Sequence, residues 1–170
     1  MKREIMEYDV VIIGAGPSGL STAIRLKQLK PDITVCIVEK GAEVGAHILS
    51  GNVLDPKALN ELIPDWKKKN SPVKIKVTKE KFLFLSKTKS FSWPTWLLPK
   101  VQQNYKNYII SLANLCRWLA EQAETLGVEI FPGFPASKIL YNEDGSVKGV
   151  ATQDMGLDKE GNKKDNFESG

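Results

Sequence analysis

Residues 8–19 read Tyr-Asp-Val-Val-Ile-Ile-Gly-Ala-Gly-Pro-Ser-Gly. The β-branched, almost continuously apolar first half predicts a strand buried on both faces of a parallel sheet. The G-x-G-x-x-G after it predicts a dinucleotide-binding turn, in which Gly14 permits the tight turn and Gly16 lets the backbone approach a pyrophosphate. Gly19 would let the next helix lie close to the strand. Pro17 suits the first position of that helix, whose free N-terminal amides would face the ligand.

The next elements extend this turn into a β-α-β unit. Helical spacing of apolar residues predicts a helix to about Leu29, and Ile33–Val38 predicts a second buried strand. Glu39 follows, 20 residues after Gly19. Its carboxylate can accept hydrogen bonds from both ribose hydroxyls of an adenosine, and its charge would repel the 2′-phosphate of NADP. A glycine-rich turn without a ligand is the alternative, and the register of all these features favours the dinucleotide site.

The sequence of the loop after Glu39 distinguishes an FAD-binding domain from an NAD-binding domain. An NAD domain would ordinarily pass through a short loop into another crossover helix, whereas residues 40–52 hold three glycines among small residues. Such a loop can run along an extended ligand and donate amides to its pyrophosphate and ring edge. The loop therefore favours FAD.

The same loop resembles that of a known family. The E-K-G-x-x-x-G-A-H-x-L-S-G stretch at 39–51, the Pro-Asp-Trp-Lys at 64–67 and the helix at 118–124 closely resemble the electron-transfer flavoprotein:ubiquinone oxidoreductase family, in its N-terminal FAD-binding part. The resemblance covers residues 1–170. It implies an α/β, Rossmann-like FAD-binding fold of the glutathione-reductase type, incomplete in this chain, with an inserted small β region at 66–104.

The resemblance also implies an activity. Members of the family carry FAD, a 4Fe-4S cluster and a ubiquinone site, and pass electrons from reduced electron-transfer flavoprotein to ubiquinone. They are peripheral proteins of one membrane face, which would be the cytoplasmic face of a bacterial inner membrane or the matrix side of the mitochondrial inner membrane. The cluster is expected only in the C-terminal part of the family's longer polypeptide. Because this chain ends after a predicted strand, we expect a fragment that is inactive alone.

The turn and the resemblance together imply a set of cofactor contacts. The predicted FAD-binding residues are Gly14, Gly16, Pro17, Ser18, Gly19, Glu39, Lys40, Gly45, Ala46, His47, Ser50, Gly51 and Ala136. His47 is the one histidine of the chain and lacks an identified acid partner, so it is expected to orient the cofactor. No catalytic residue and no metal ligand are predicted.

Two alternatives stay open at this point. One is a related FAD-dependent reductase or hydroxylase that acts on an isoprenoid or aromatic substrate with a nicotinamide donor. The other is a non-catalytic dinucleotide-binding module. A four-cysteine cluster motif in the complete gene would favour the electron-transfer flavoprotein:ubiquinone oxidoreductase family over the reductase or hydroxylase. A flavin retained by the purified protein would argue against the non-catalytic module.

The middle of the chain is basic and aromatic. Residues 66–100 hold ten lysines and one acid, a net charge of +9 against −5 for the rest of the chain. The aromatic residues interleaved with these lysines are Trp66, Phe82, Phe84, Phe91, Trp93 and Trp96. Tryptophan flanked by lysine is typical of a segment that lies at a membrane interface, which predicts peripheral contact through 82–99. Packing of the aromatics onto the parent domain is the alternative. No nucleic-acid partner is predicted, because no binding motif is present.

Composition and length exclude several classes. Hydrophobic residues are 42% and charged residues 26%, as in a globular domain. No apolar stretch approaches the roughly 20 residues of a spanning helix, and the first residues form neither a signal nor a transit peptide. Cys36 and Cys116 are 80 positions apart, which excludes a disulfide scaffold and a zinc-finger spacing. Both are expected to be packing residues in a reducing compartment.

The remaining elements follow from local patterns. Asp55 predicts the cap of a short helix to Ile63, and 73–77, 81–85 and 90–93 predict strands. Ser111 predicts the start of a helix that ends before Gly127. A parallel strand is expected at 128–131, and a hairpin at 136–141 and 146–153 around an Asn-Glu-Asp-Gly turn.

Overall fold

The computed structural model describes residues 5–157 and 162–168. Its α-helices and β-strands, in chain order, are β1 (Val10–Ile13), α1 (Pro17–Leu29), β2 (Val35–Glu39), β3 (Asn52–Leu54), α2 (Lys57–Leu62), β4 (Ile75–Lys76), β5 (Phe82–Leu85), β6 (Ser90–Trp93), β7 (Tyr108–Ile110), α3 (Leu112–Thr125), β8 (Val128–Pro132), β9 (Ala136–Tyr141), β10 (Val147–Thr152), β11 (Met155–Leu157) and β12 (Lys163–Glu168). Short 3-10 helices lie at Trp66–Lys68, Thr95–Leu97 and Lys100–Gln102. These elements form two units. The first takes its residues from Met1–Ile48 and Cys116–Gly170, and the second from Leu49–Leu115.

The first unit is built on a parallel sheet in the order β1-β2-β8. Val35 of β2 is level with Val10 on one side and with Val128 on the other. The side chains Val35 to Val38 of this central strand are buried on both faces of the sheet. Helix α1 buries Leu20, Ala23 and Ile24. The predicted βαβ unit and the third parallel strand are therefore confirmed.

Strand β1 is less buried than its sequence predicts. Val11 is 36% exposed and Ile13 is 59% exposed, although an apolar run of this kind predicts burial on both faces. Among the described strands β1 pairs with β2 alone, so it lies at an edge of the sheet. Val11 and Ile13 lie on the same face of β1, so the described residues leave this face partly uncovered. An apolar sequence gives a capacity for burial, and packing against that face decides whether it is used.

A hairpin formed by β9 and β10 follows the parallel sheet in the first unit. The two strands are antiparallel, with Ala136 opposite Thr152. Their turn has Gly145 at φ +81°, and the Asn142 N–H donates to the Ser146 carbonyl at 2.9 Å. The predicted Asn-Glu-Asp-Gly turn is confirmed. Strands β11 and β12 form a second antiparallel pair that the sequence did not predict.

The second unit contains a three-stranded antiparallel sheet in the order β3-β7-β4. Trp66 is 2% exposed, its indole N–H donates to Asn60 Oδ1 at 2.8 Å, and its ring packs edge-to-face against Tyr108 with 5.6 Å between the centroids. Trp66, which is interleaved with the lysines of the basic segment, therefore differs from the exposed aromatics at 82–96. Because the side chain is buried and its indole N–H has an acceptor, this residue belongs to the core.

Several boundaries in the second unit differ from the prediction. The strand expected at 73–77 is reduced to Ile75–Lys76, whereas β5 and β6 lie where 81–85 and 90–93 predicted them. Pro56 rather than Asp55 occupies the cap position of α2, although Asp55 Oδ1 still accepts a 3.0 Å bond from the Lys57 N–H. Strands β3 and β7 are too short to show a period of their own.

Candidate functional site

The glycine-rich turn joins the end of β1 to the start of α1. Gly14 has φ +96°, a conformation that favours glycine, and its N–H donates to the Val38 carbonyl of β2 at 2.8 Å. Gly16 occupies the cap position of α1, Pro17 is the first helical residue, and no side chain in the described part of the chain caps this end. The first amides of α1 are therefore left for another acceptor.

Gly16 and Gly19 lack side chains for different reasons. A Cβ on Gly16 would have no heavy atom of the described residues within 4 Å, so the space beside it is open. A Cβ on Gly19 would lie 2.1 Å from the Gly14 carbonyl oxygen and 3.1 Å from Ile12 Cγ2. Gly19 therefore permits the helix to approach its own turn, as predicted, whereas Gly16 leaves room for something outside the protein.

Glu39 lies beside this turn at the end of β2. Its Oε2 accepts a 2.8 Å hydrogen bond from the Ala15 N–H of the turn. Its Oε1 accepts a 2.7 Å bond from the Gly41 N–H. The half-buried carboxylate is thus held between the glycine turn and the loop that follows β2. A turn rich in amide donors and a fixed carboxylate beside it suit the pyrophosphate and the ribose of an adenine dinucleotide.

The loop after β2 is held by contacts that sequence reasoning missed. The Gly133 N–H donates to the Gly41 carbonyl at 2.8 Å, and the Phe134 N–H donates to the Glu39 carbonyl at 2.9 Å. Arg117 forms an ion pair with Glu43 at 3.1 Å, in which both side chains are largely exposed. Each partner lies 74 or more positions away from the loop residue that it contacts, and two of the three contacts are made by backbone atoms. Local sequence patterns do not report contacts of this kind. The one local signal was the glycine at 41.

The other predicted loop contacts lie in both units. In the first unit Gly45 is buried with φ +86°, while Lys40, Ala46 and His47 are exposed. In the second unit Gly51 has φ +89°, and the Ser50 hydroxyl donates to the Ser111 hydroxyl at 3.0 Å.

The rest of the predicted set lies at the ends of two elements of the first unit. Ser18 is exposed in the first turn of α1 and accepts a hydrogen bond at its carbonyl from Thr22 Oγ1 at 2.8 Å. Ala136 begins β9 and is partly buried.

The two thiols are buried in the first unit, as predicted for packing residues. Burial raises the pKa of Cys36 to about 11, and the charge of Glu129 adds to the shift. Burial, with the charge of Glu39, raises the pKa of Cys116 to about 11. Because the thiolate is the nucleophile and the metal ligand, both groups are inert at neutral pH. Within residues 5–157 and 162–168, no three histidine, cysteine or acidic side chains are grouped to hold a metal ion.

The hairpin of β5 and β6 in the second unit is a separate candidate surface. Phe82 lies opposite Trp93 and Phe84 opposite Phe91, which places four aromatic side chains on one face. Their rings contact edge-to-face, with 5.3 Å between the centroids of Phe82 and Phe84. All four are exposed, as is Trp96 beyond the hairpin at 76%.

The described residues contain no helix that is both long enough and apolar enough to span a membrane.

Comparison with known proteins connects this geometry to a family. A model of the Thi4 family matches residues 1–61. Electron transfer flavoprotein-ubiquinone oxidoreductase of Dictyostelium discoideum mitochondria is 57% identical over 172 residues, which are 99% of this chain and 28% of that protein. The protein of the same name from Pseudomonas aeruginosa is 55% identical over 98% of this chain and 31% of its own length.

Solved structures agree on the fold. A geranylgeranyl bacteriochlorophyll reductase-like protein from Thermoplasma acidophilum superimposes with a TM-score of 0.62 at 20% identity, over 86% of this chain and 34% of that chain. THI4 of Thermovibrio ammonificans gives a TM-score of 0.52 at 18% identity, over 86% of this chain and 46% of that one. At such identities the likeness concerns the fold.

The chain spans about 30% of the length of the curated relatives it matches. Its first unit has the α/β, Rossmann-like FAD-binding fold that its glycine turn predicted. The resemblance read from the loop motifs is confirmed: over nearly its whole length, this chain is homologous to part of electron transfer flavoprotein-ubiquinone oxidoreductase.

Proposed function

We propose that this chain holds the adenosine and pyrophosphate of FAD in an electron transfer flavoprotein-ubiquinone oxidoreductase. The observation that carries the proposal is the open space at Gly16, at the uncapped start of α1 and beside the Glu39 carboxylate of the same unit. Bound FAD supplies a ring that can take up single electrons and deliver a pair. The residues of this chain bind and orient it.

The start of α1 would bind the pyrophosphate. Gly16 lets a phosphate approach the backbone, and the first amides of α1, which follow Pro17, point out of the helix. The partial positive charge at a helix N-terminus favours an anion there. Gly14 and Ser18 belong to the same turn and first helical residues, and we assign both to this contact.

Glu39 would bind the ribose of the adenosine. A carboxylate offers about four lone-pair positions, and the Ala15 and Gly41 amides use two of them. The remaining positions suit the two hydroxyls of a ribose, while a 2′-phosphate would meet a fixed negative charge. Lys40, the Gly45–Gly51 loop with Ala46, His47 and Ser50, and Ala136 complete the proposed contacts. His47 orients the cofactor in this proposal.

Removing the Glu39 carboxylate tests the ribose contact. In the full-length protein, Glu39→Ala is expected to weaken FAD binding by roughly 1.5 to 3 kcal/mol, because it removes charge-assisted hydrogen bonds. The measurement is flavin fluorescence titration of the apoprotein, read beside a melting curve. Glu121→Ala, an exposed position on α3, serves as the control. Tight NADP binding by Glu39→Arg would contradict the flavin assignment.

The electron-transfer partners follow from the names of the relatives. We propose that the full-length protein takes electrons from reduced electron transfer flavoprotein and passes them to ubiquinone. The family resemblance adds a 4Fe-4S cluster in the C-terminal part of the longer polypeptide. The test is reduction of a soluble ubiquinone analogue by reduced electron transfer flavoprotein. Reduction by a nicotinamide donor in its place would support the reductase or hydroxylase alternative.

The aromatic hairpin would attach the protein to a membrane surface, on the cytoplasmic face in bacteria or the matrix face in mitochondria. Four aromatic side chains form one exposed face, and Leu83 and Leu85 are exposed on the other. A two-stranded hairpin with one exposed face of aromatic side chains and two exposed leucines on the other is costly in water. Lys87 lies in its turn and Lys89 next to it, where ammonium groups meet anionic headgroups.

Vesicle binding distinguishes the two parts of this attachment. Trp93→Ser with Trp96→Ser should lower binding to anionic vesicles even at high salt, because burial of the rings at the headgroup boundary is lost. Lys87→Gln with Lys89→Gln should lower it chiefly at low salt, by about 1 kcal/mol per lysine. Co-sedimentation and a melting curve are measured for each variant.

Tyr141→Ser removes an exposed aromatic side chain from the first unit and is the matched control. It should leave vesicle binding unchanged. If the wild-type protein does not bind anionic vesicles at low salt, the membrane proposal for this hairpin is contradicted.

A further inference from the structure

Gly41 lies against the Glu39 carboxylate and is fixed from two sides. Its N–H donates to Glu39 Oε1 at 2.7 Å, and its carbonyl accepts from the Gly133 N–H at 2.8 Å. The residue is buried, although it follows the exposed Lys40 in a loop. Its backbone therefore cannot rotate without breaking one of these bonds.

A side chain at position 41 would press on the carboxylate itself. A Cβ built there lies 3.1 Å from Glu39 Oε1, 3.0 Å from the Glu43 carbonyl oxygen and 3.6 Å from the Ala46 Cβ. Gly41 is not among the glycines with positive φ, so backbone conformation alone would tolerate alanine. The close approach of two oxygen atoms, the Glu43 carbonyl and the Glu39 carboxylate, rather than a positive φ, accounts for glycine at this position.

The second anchor of Glu39 limits how the carboxylate could adjust. Its Oε2 is bonded to the Ala15 N–H of the turn at 2.8 Å, and the Glu39 carbonyl accepts from the Phe134 N–H at 2.9 Å. A Cβ at 41 would push Oε1 while Oε2 stays attached. The carboxylate would therefore turn about the Ala15 bond and redirect its remaining lone pairs.

We propose that Gly41 is a positioning residue, which fixes the orientation of the Glu39 carboxylate toward the cis-diol of the adenosine ribose. This inference rests on the proposed FAD site. Holding the carboxylate in its bound orientation before the ligand arrives lowers the entropy lost on binding. The contribution of Gly41 thus appears in recognition of the ribose hydroxyls and not in binding of the remainder of FAD.

The test uses Gly41→Ala in the full-length protein and two probes. One probe is FAD, and the other is an FAD analogue whose adenosine ribose lacks the 2′-hydroxyl. In the wild type we expect the analogue to bind about tenfold more weakly, the effect of one charge-assisted hydrogen bond. In Gly41→Ala the ratio should fall to about threefold or less, with affinity for the analogue changed less than about twofold.

Gly149→Ala is the control, since a Cβ there meets no described heavy atom within 4 Å and its φ is not positive. It should keep the wild-type ratio, whereas Glu39→Ala should bring the ratio to about one. If Glu39→Ala lowers the ratio and Gly41→Ala does not, the Gly41 inference is overturned while the FAD site stands. If Gly41→Ala weakens both probes equally, the residue is merely structural and the inference is also overturned. If Glu39→Ala keeps the wild-type ratio, the ribose site itself is wrong.

If Gly41→Ala does not fold, the inference is tested by a second measurement on the wild-type protein. With glycine-selective ¹⁵N labelling, the Gly41 amide proton should resonate downfield, as expected for a bond to a carboxylate, and remain there when FAD is added. Loss of the downfield shift on FAD addition would show that the Gly41 bond to Glu39 breaks on binding, which overturns the inference.

Discussion

Gly19→Ala is expected to destabilise the protein by roughly 3 kcal/mol or to prevent folding, because the new methyl group would lie 2.1 Å from the Gly14 carbonyl oxygen. Helix propensity alone predicts the opposite sign, since glycine to alanine inside a helix stabilises by about 1 kcal/mol. The contact prevails because the atom in the way belongs to the backbone. The Gly14 N–H is bonded to Val38 at 2.8 Å, so the turn cannot move aside without breaking its attachment to β2.

Urea denaturation of Gly19→Ala beside Gly16→Ala measures this effect. Gly16 has open space at its Cβ position, so its alanine variant should unfold near the wild-type midpoint. A Gly19→Ala protein more stable than the wild type would show that α1 does not approach its turn as closely as described.

Gly16→Val is expected to abolish FAD binding while leaving the fold intact. The backbone at Gly16 has φ −80° and ψ 178°, an extended conformation that a branched residue accepts readily. No heavy atom among the described residues lies within 4 Å of its Cβ position, so valine meets nothing in the protein itself. It would occupy the space that we assign to the pyrophosphate.

The measurement is the ratio of flavin to protein after purification, together with a melting curve in the absence of flavin. Gly149→Val is the matched control, because it adds the same side chain at another open glycine. Unchanged flavin stoichiometry in Gly16→Val would show that this glycine faces no cofactor. Gly16 and Gly19 belong to one motif, yet the first variant should lose the ligand and the second the fold.

Much of the first unit was predictable from local patterns. The helix predicted to reach Leu29 before Pro31 is α1, the helix predicted to end before Gly127 is α3, and the turn around Gly145 forms as expected. Each depends on residues within a few positions of one another, such as a proline at a helix start or a glycine with positive φ. The short strands β3 and β7 were not predicted because three residues show no period, and pairing with each other defines them.

The same division holds for the candidate site. By itself, the sequence determined the chemistry of the site: a glycine turn, a helix start without a capping side chain and an acid at the end of the second strand. These are properties of residue types at fixed spacing. The structure decided which atoms meet: the Glu39 carboxylate bridges Ala15 and Gly41, and Gly133 closes on Gly41 from the far end of β8.

Tertiary structure also decided which aromatic residues are core. Trp66 and Trp96 occur in the same lysine-rich segment, and composition does not separate them. Trp66 is buried: its indole N–H donates to Asn60 Oδ1 and its ring packs against Tyr108. Trp96 is 76% exposed. Local sequence determines backbone conformation and the capacity of a side chain for burial or hydrogen bonding. Distant segments decide whether that capacity is used, because a hydrogen bond or a buried surface needs a second partner that only the folded chain brings close.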